Sequence, residues 1–430
     1  MAELNKITSF VTEPVVYFRC DPPISDFTKK YDGSYIISST TQAVTIKASE
    51  VGRFGSFYHA LRRSIFAEGH TVLTWDIKKF NSYLRHNLKT TIEPPGAKVI
   101  DLKYGLAYLG QRTDEAPKTT VQSLEVAKLL ISDDGWQKAH RHLHRPLAWS
   151  VLPELENRTV VDEQKLGWLY SCYEIEGQTN GRLLCHKASN RYLTVHSLAP
   201  AQKAVLLPKD YLSDDWYFLL LDYQHMEVSV LAWLAQDEAL TAALADPAEF
   251  YASLVTFECD PAERRNIGKL IFLPTIYGQQ SKNLAERLKL EQTVADGLLD
   301  GLKSRFSKSF QWVESKQAAL ATNPIASDYF GRKRNFADEP AYKRRNFEVQ
   351  SPASFICLER LCALHQALPS HVQFSVHDGY ILVARKKECA EIIRTAKKIL
   401  ESESPIFPAL KLKVSCQYGK RLDQMKKLDV

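Results

Sequence analysis

Although the chain of 430 residues has eight cysteines, it has no CxxC pair, which removes the usual spacings of a structural zinc site. Cys357 and Cys362 are spaced as buried helix positions instead, and unpaired thiols of this kind predict a reducing compartment. No apolar run reaches the roughly 20 residues of a membrane-spanning helix. The opening MAELNKITSF has none of the apolar stretch of a signal peptide, so a soluble, cytoplasmic protein with no membrane partner is expected. Internal repeats and low-complexity tracts are also missing, and neither sign of charge dominates. The 56 basic residues are offset by 50 acidic ones, leaving a net +6 that permits a polyanionic partner without demanding one. What the chain does have is an ordinary globular composition, 45% hydrophobic and 25% charged. At this length two to four packed units are expected.

From Val15 to about Leu130, β-rich runs (VVYF, SYIISS, AVTIKA) alternate with helical stretches, which predicts a small α/β unit. The polar segment from Gln111 to Thr120, with Pro117, reads as a loop within it. Apolar spacing is helical from Arg145 to Tyr173. Beyond Asn180 the order becomes strand, helix, helix, hairpin, and the run YFLLL from Tyr217 to Leu221 is apolar enough for a buried strand. The histidine-rich HRHLHRP at His140 to Pro146 has no carboxylate or cysteine to complete a ligand set, and reads as surface.

Three constellations carry chemistry. YFLLL delivers Asp222 and Tyr223 to a strand end, followed by the helical HMEVSVLAWLAQDEAL; on spacing alone, a helix-capping aspartate accounts for Asp222 as well as a metal ligand does. HVQFSVHDGYILVAR sets His377, Asp378 and Gly379 between two apolar strands, where Asp-Gly is itself a strong hairpin-turn signal. Two strand-end carboxylates far apart in sequence could nevertheless converge on a pair of divalent cations roughly 4 Å apart, as in-line phosphoryl transfer requires, and oxygen ligands suit magnesium. In ERRNIGKLIFLPTIYGQ, residues Arg265, Lys269, Leu273 and Tyr277 recur every four positions along one helical face. Two cations and an aromatic on that stripe could grip a triphosphate and pack beside its base; an exposed basic turn running into a core stripe is the plainer reading.

In this order and at these spacings, the three pieces resemble motifs A, B and C of the family A DNA polymerases, the bacterial and phage repair type. The resemblance implies Asp222, the Tyr223 carbonyl and Asp378 as ligands of two magnesium ions, with manganese as a substitute. It implies Glu227 as the block to a ribose 2′-hydroxyl, Arg265 and Lys269 on the nucleotide's phosphates, Leu273 against its sugar and base, and Tyr277 near the templating base. His377 would lie close to the primer end. TNGRL resembles a further palm motif and places Arg182 near the primer-template, while NFEVQSPAS resembles the helix that would carry Gln350 to the minor groove. Arg332, Lys333, Arg334, Lys343, Arg344 and Arg345 then suit a phosphate-tracking surface. The implied activity is template-directed addition of dNTPs to a primer 3′-hydroxyl, with primer-template DNA and dNTPs as partners.

The implied architecture is multidomain, α/β and α+β. It consists of an exonuclease-like, ribonuclease H-like domain (1–145), a reduced thumb or connector (146–178), a palm (179–258 and 329–430) and fingers (259–328). Departures from the family pattern add expectations. Arg19 and Asp21 stand where the proofreading domain has an acidic pair, Asn81 where its second motif has an aspartate, and Trp136 and His140 where a tyrosine and an aspartate would be; a catalytically dead exonuclease domain follows. The short connector predicts low processivity, or the help of a processivity factor. Leu273 replaces an aromatic and Pro274 enters the helix, Gly379 replaces an acidic residue, and Ser229 an arginine. A compact, stripped-down polymerase suits a phage-infected or bacterial cell. Two rival readings stay open, a non-catalytic DNA-binding replication accessory and a primer-making or RNA-copying polymerase.

Overall fold

The structure is a computed structural model. It describes residues 7–428 apart from 26, 28, 52, 53, 93–97, 112, 113, 158, 162–170, 175–183, 188–205, 209–214 and 340. Two compact units result, one formed by residues 1–221, 357–399 and 416–430, the other by 222–356 and 400–415. Among the described residues no helix is long and apolar enough to cross a membrane.

The first unit begins with a five-stranded sheet. Strands β1 (Val15–Asp21), β2 (Ser34–Ser38), β3 (Ala43–Lys47), β4 (Thr71–Trp75) and β5 (Lys98–Asp101) are ordered β3-β2-β1-β4-β5. The three sequential strands pair antiparallel, while β4 and β5 join parallel to β1, the arrangement expected of a ribonuclease H-like domain. Helices α1 (Phe54–Ser64), α2 (Ile77–Leu88), α3 (Leu102–Tyr108), α4 (Thr120–Ile131) and α5 (Asp134–Ala139) separate and follow these strands, and α3 and α4 pack on the sheet. The Asp101 carboxylate accepts from Asp76 and Ile77 amides at 3.2 and 2.6 Å, and from the Lys103 amide at 3.1 Å. One side chain thus satisfies orphan donors at the starts of both α2 and α3.

The helical run that starts at α5 continues through π turns at His140–His144 and Leu147–Val151 into α6 (Leu152–Glu156). The π turns lie on either side of Pro146, which has no amide to donate. Helical spacing was expected as far as Tyr173, but the helix stops at Glu156. The β-branched Thr159-Val160-Val161 then forms β6 (Thr159–Val161), since such side chains favour extended backbone. With β7 (Ser171–Glu174), β8 (Leu184–Lys187) and β9 (Leu206–Pro208) it makes two small antiparallel pairs, β6 with β9 and β7 with β8. The HRHLHRP tract is not all surface. Its first residue, His140, is half-buried against Trp136, their ring centroids 5.2 Å apart.

Burial, with Arg145 and Lys98 adding to it, pushes the His140 pKa down to about 4. A neutral histidine in the fold and an ordinary one near 6.5 in the unfolded chain make the unfolded state the better proton binder between those values. Stability should therefore be full above about pH 6.5 and fall by on the order of 3 kcal/mol as pH drops toward 4. Urea midpoints measured across that range in wild type and His140→Gln check this, with a flatter slope expected for the variant.

A second sheet of the first unit has the order β11-β12-β10-β13-β14, with β10 (Trp216–Tyr223), β11 (Val372–Val376), β12 (Gly379–Arg385), β13 (Val414–Gly419) and β14 (Lys426–Leu428). Phe218, Leu219, Leu221, Phe374, Tyr380 and Leu382 are buried in it. The last two residues of β10 already belong to the second unit.

Helices dominate that second unit: α7 (Met226–Ala235), α8 (Glu238–Ala243), α9 (Arg264–Ile276), α10 (Ser281–Leu288), α11 (Gln292–Arg305), α12 (Ser307–Thr322) and the first half of α13 (Ala341–Ala367). Asp237 caps α8 by accepting from the Leu240 amide at 3.0 Å, and its other oxygen takes the Ser309 amide and hydroxyl of α12 at 3.0 and 2.8 Å. Phe250, Phe272 and Phe306 form an aromatic core, with edge-on contacts at 5.3 and 5.8 Å between centroids. At Gly268, in mid-α9, a Cβ would stand 1.8 Å from the Tyr251 carbonyl oxygen and 2.5 Å from its carbon. Alanine normally stabilises a helix over glycine by about 1 kcal/mol. Here the sign reverses: Gly268→Ala should lower stability by about 1–3 kcal/mol, visible as a reduced melting temperature.

Candidate active site

Strand β10 carries Asp222 at its seventh position, half-buried, and Tyr223 at its eighth, buried. Both are fixed by neighbours in the second unit. The Asp222 carbonyl accepts from the Ser415 hydroxyl at 3.3 Å, the Tyr223 hydroxyl donates to the Leu400 carbonyl at 2.9 Å, and the Gln224 amide donates to Lys413 at 2.8 Å. Two residues later the chain turns through His225 at φ 57° into α7, whose first turn presents Glu227. The expected strand and helix on either side of Asp222 are both present.

Helix α9 divides cleanly. Gly268, Ile271, Phe272, Thr275 and Ile276 are buried, whereas Arg265 and Lys269 are exposed and Leu273 and Tyr277 half-buried. The four-residue stripe is therefore a face turned away from the core, and it ends where Tyr277 caps the helix. Pro274 lies three residues before that end, so the amide it lacks would have served only the last turn. Tyr277 donates its hydroxyl to Glu227 Oε2 at 2.7 Å. This bond joins the start of α7 to the end of the basic stripe.

In the first unit, β11 and β12 are joined by a two-residue turn. Val376 pairs with Gly379, leaving His377 and Asp378 at the tip. His377 takes φ 56°, a left-handed value that a primed hairpin turn needs. The sequence signal favoured Asp-Gly at the centre; instead Gly379 opens β12, buried, and the half-buried Asp378 occupies the turn. In the sheet β12 lies next to β10.

The basic cluster divides differently from expectation. Arg332 and Lys333 are half-buried on a hairpin between Ile325–Ser327 and Lys333–Asn335. Its turn is pinned by the buried Asp328, whose carboxylate accepts from the Phe330 and Arg332 amides at 2.9 Å each and from the Ser351 hydroxyl at 2.5 Å. Arg334, expected at the surface, is buried. It donates to Glu339 at 2.6 Å and stacks on Phe336, 4.6 Å from the ring centroid, so it anchors the hairpin rather than offering a free cation. Lys343 is exposed, and its ammonium pairs with Glu339 at 3.2 Å. The side chains of Arg344 and Arg345 lie outside the described residues, as does Arg182 with the whole TNGRL stretch. Gln350 sits half-buried on α13.

The residues of the expected exonuclease centre have internal partners. Arg19 pairs with Asp21 at 3.2 Å. Buried Asn81 uses both ends of its amide, donating to the Ala148 carbonyl at 3.3 Å and accepting from the Ile92 amide at 2.9 Å. Asp76, five residues before Asn81 and outside the expected centre, lies in left-handed backbone at the start of α2 and meets Lys103 at 2.9 Å, the Tyr104 hydroxyl at 3.2 Å and Lys79 at 3.4 Å. Burial alone would raise its pKa, but Lys79 and Lys103 outweigh burial and hold it below the ordinary carboxylate range.

Sequence reasoning missed the segment from Pro247 to Tyr251, which touches His225, just before α7, and Gly268 and Phe272 of α9. The one hint in the sequence was Gly268 itself, a glycine in mid-helix, which often marks a close backbone approach.

The family model for DNA polymerase family A matches residues 159–424. The chain is 23% identical over 301 residues to DNA polymerase I of Chloroflexus aurantiacus, covering 65% of this chain and 31% of that one. It is 22% identical over 344 residues to the thermostable DNA polymerase I of Thermus aquaticus, covering 74% and 40%. The chain thus spans well under half the length of these curated relatives. Its fold is similar to that of the POL domain of Pol1 from M. smegmatis, solved in complex with DNA primer-template and dNTP, with a TM-score of 0.72, 15% identity and 98% of each chain covered. Since the family match takes in more than half of its residues, the chain belongs to DNA polymerase family A.

Proposed function

We propose that the chain is a template-directed DNA polymerase that adds deoxynucleotides to a primer 3′-hydroxyl. The observation that carries this reading lies within the second unit. The strand end bearing Asp222 leads directly to Glu227, and Glu227 is hydrogen-bonded at 2.7 Å to Tyr277, at the end of the exposed Arg265–Lys269 stripe. A carboxylate, a steric block near a sugar and two cations for phosphates are thereby carried by one unit. Asp378 lies in the first unit, one residue before β12 begins, and its place in the site rests on the family resemblance.

Asp222, the Tyr223 carbonyl and Asp378 would hold two magnesium ions. Among the described residues no group of three or more His, Cys, Asp or Glu side chains gathers as a metal site; magnesium fits nonetheless, since it commonly takes one or two carboxylates and completes its shell from water and substrate phosphates. When bound, the ions would activate the 3′-hydroxyl and neutralise charge on the triphosphate. Arg265 and Lys269 bind the phosphates, and Glu227 excludes a 2′-hydroxyl and so selects deoxynucleotides. Tyr277 and Leu273 border the base and sugar. Arg332, Lys333, Gln350, His377 and Arg182 attend the primer-template, with Arg334 positioning the hairpin instead of touching phosphate.

The same reading assigns no proofreading to the N-terminal domain, because Asn81 is committed to internal bonds and Arg19 pairs with Asp21. It also assigns low processivity. A labelled primer on a DNA template, with magnesium and dNTPs, tests the proposal. Extension in short steps, without 3′ excision, is the expected result. Intact primer-template binding with no extension would leave a non-catalytic accessory, and products from an unprimed template would point to a primer-making enzyme.

A further inference from the structure

Pro247 to Tyr251 reaches the N-cap residue of α7 and the first turns of α9, the two helices that the proposed site uses. On the α7 side, the Pro247 carbonyl lies 2.6 Å from Nε2 of His225. A carbonyl oxygen only accepts, so that nitrogen carries the proton. The imidazole meets the Tyr251 ring edge-on at 4.5 Å between centroids and an interplanar angle of 67°, with the Phe250 ring at 5.3 Å. On the α9 side, the guanidinium carbon of Arg265 lies 5.8 Å from the centroid of the same Tyr251 ring. The Tyr251 carbonyl abuts Gly268 one turn further along. Arg264 completes the attachment by donating to the Ala252 and Val255 carbonyls at 3.2 and 2.5 Å.

We propose that Tyr251, braced by His225, is a positioning residue that sets the register of α9 and aims Arg265 at the triphosphate, and that it thereby governs the KM for dNTP. This rests on the polymerase reading given above. A guanidinium held by its face over a ring keeps its edge N–H groups available for bidentate phosphate contacts, while loss of the ring releases a long side chain to many rotamers. Because the bracket acts through Arg265, its removal weakens nucleotide binding and leaves the bond-forming step nearly untouched.

Single-nucleotide insertion on a primer-template, with KM and kcat separated, tests this, accompanied by fluorescence anisotropy for primer-template affinity and by melting temperature. Tyr251→Leu should raise KM roughly 5- to 20-fold, with kcat within about threefold and primer-template affinity unchanged. Tyr251→Phe, which keeps the ring, should stay within about twofold of wild type, and His225→Asn should give a smaller rise than Tyr251→Leu. An unchanged KM in Tyr251→Leu overturns the proposal. A Tyr251→Phe variant as impaired as Tyr251→Leu also overturns it, since the role would then lie in the hydroxyl. Should Tyr251→Leu fail to fold, His225→Asn decides, with an unchanged KM counting against the bracket. If the wild type inserts no nucleotide, the polymerase reading fails first, and hydrogen exchange across Arg264–Ile276 then judges the bracket: faster exchange in Tyr251→Leu supports it, and equal rates sink it.

Discussion

Asp378→Ala should extend a primer at least ~10³-fold more slowly than wild type, equivalent to about 4 kcal/mol of lost transition-state stabilisation. The size follows from the position. If two ions are held by two carboxylates and a backbone carbonyl, removing one carboxylate strips an ion of half its charged protein ligands, and charge developing on the triphosphate then goes unneutralised. Asp378 sits at the tip of a two-residue turn whose left-handed position belongs to His377, and the pairing of Val376 with Gly379 does not involve its side chain. Asp378→Asn, which keeps the shape without the charge, should be nearly as inactive, and melting temperature and primer-template affinity measured beside extension separate lost chemistry from lost structure. Residual extension within about tenfold of wild type would remove Asp378 from the metal site.

The second large effect is on stability. Lys78 on α2 and Glu156 on α6 form an ion pair at 2.6 Å with 1% and 0% of their side-chain surfaces exposed. The second Glu156 oxygen accepts the Ser82 hydroxyl. Breaking such a pair from one side leaves a buried charge without its counterion, so Lys78→Met should destabilise the first unit by about 3–5 kcal/mol. Replacing both members by apolar residues of similar size should recover most of that loss, because desolvating the pair consumes much of its mutual attraction. Ser82 keeps a partner in the double variant through its 3.0 Å bond to the Lys78 carbonyl. Denaturant midpoints for the two single variants and the double settle the matter. A single variant within about 1 kcal/mol of wild type would mean that water reaches the pair.

What could be read in the sequence was whatever is encoded locally. YFLLL, the α7 and α9 periodicities and the apolar strands around His377 and Asp378 declare their structure within a few residues, and all of them form. Contacts across the chain were invisible. Nothing near Arg334 announced Glu339 and Phe336 as its partners, so a buried anchor looked like one more exposed cation. Tyr251 carries no motif and matters only because its carbonyl and ring meet a helix more than a dozen residues away. The turn at Asp378 was misplaced by one residue because the Asp-Gly signal is strong, yet a left-handed His377 serves the same geometry. The helix was extended past Glu156 because apolar spacing alone does not register the preference of Thr159, Val160 and Val161 for extended backbone.

If the chain lacks proofreading, as proposed, Asn81 sets a limit on retrofitting it with an editing activity. Its amide spans two main-chain groups, giving a proton to Ala148 and taking one from Ile92. An aspartate installed there, the first step in rebuilding a nuclease centre, could still accept from Ile92 but would turn an oxygen toward the Ala148 carbonyl with no proton between them. Two acceptors facing each other in a dry interior repel, so the new carboxylate would be driven to hold a proton instead of a cation. Conversion by single steps is therefore barred at the first one, and an engineer would have to move the Ala148 main chain before touching the ligands.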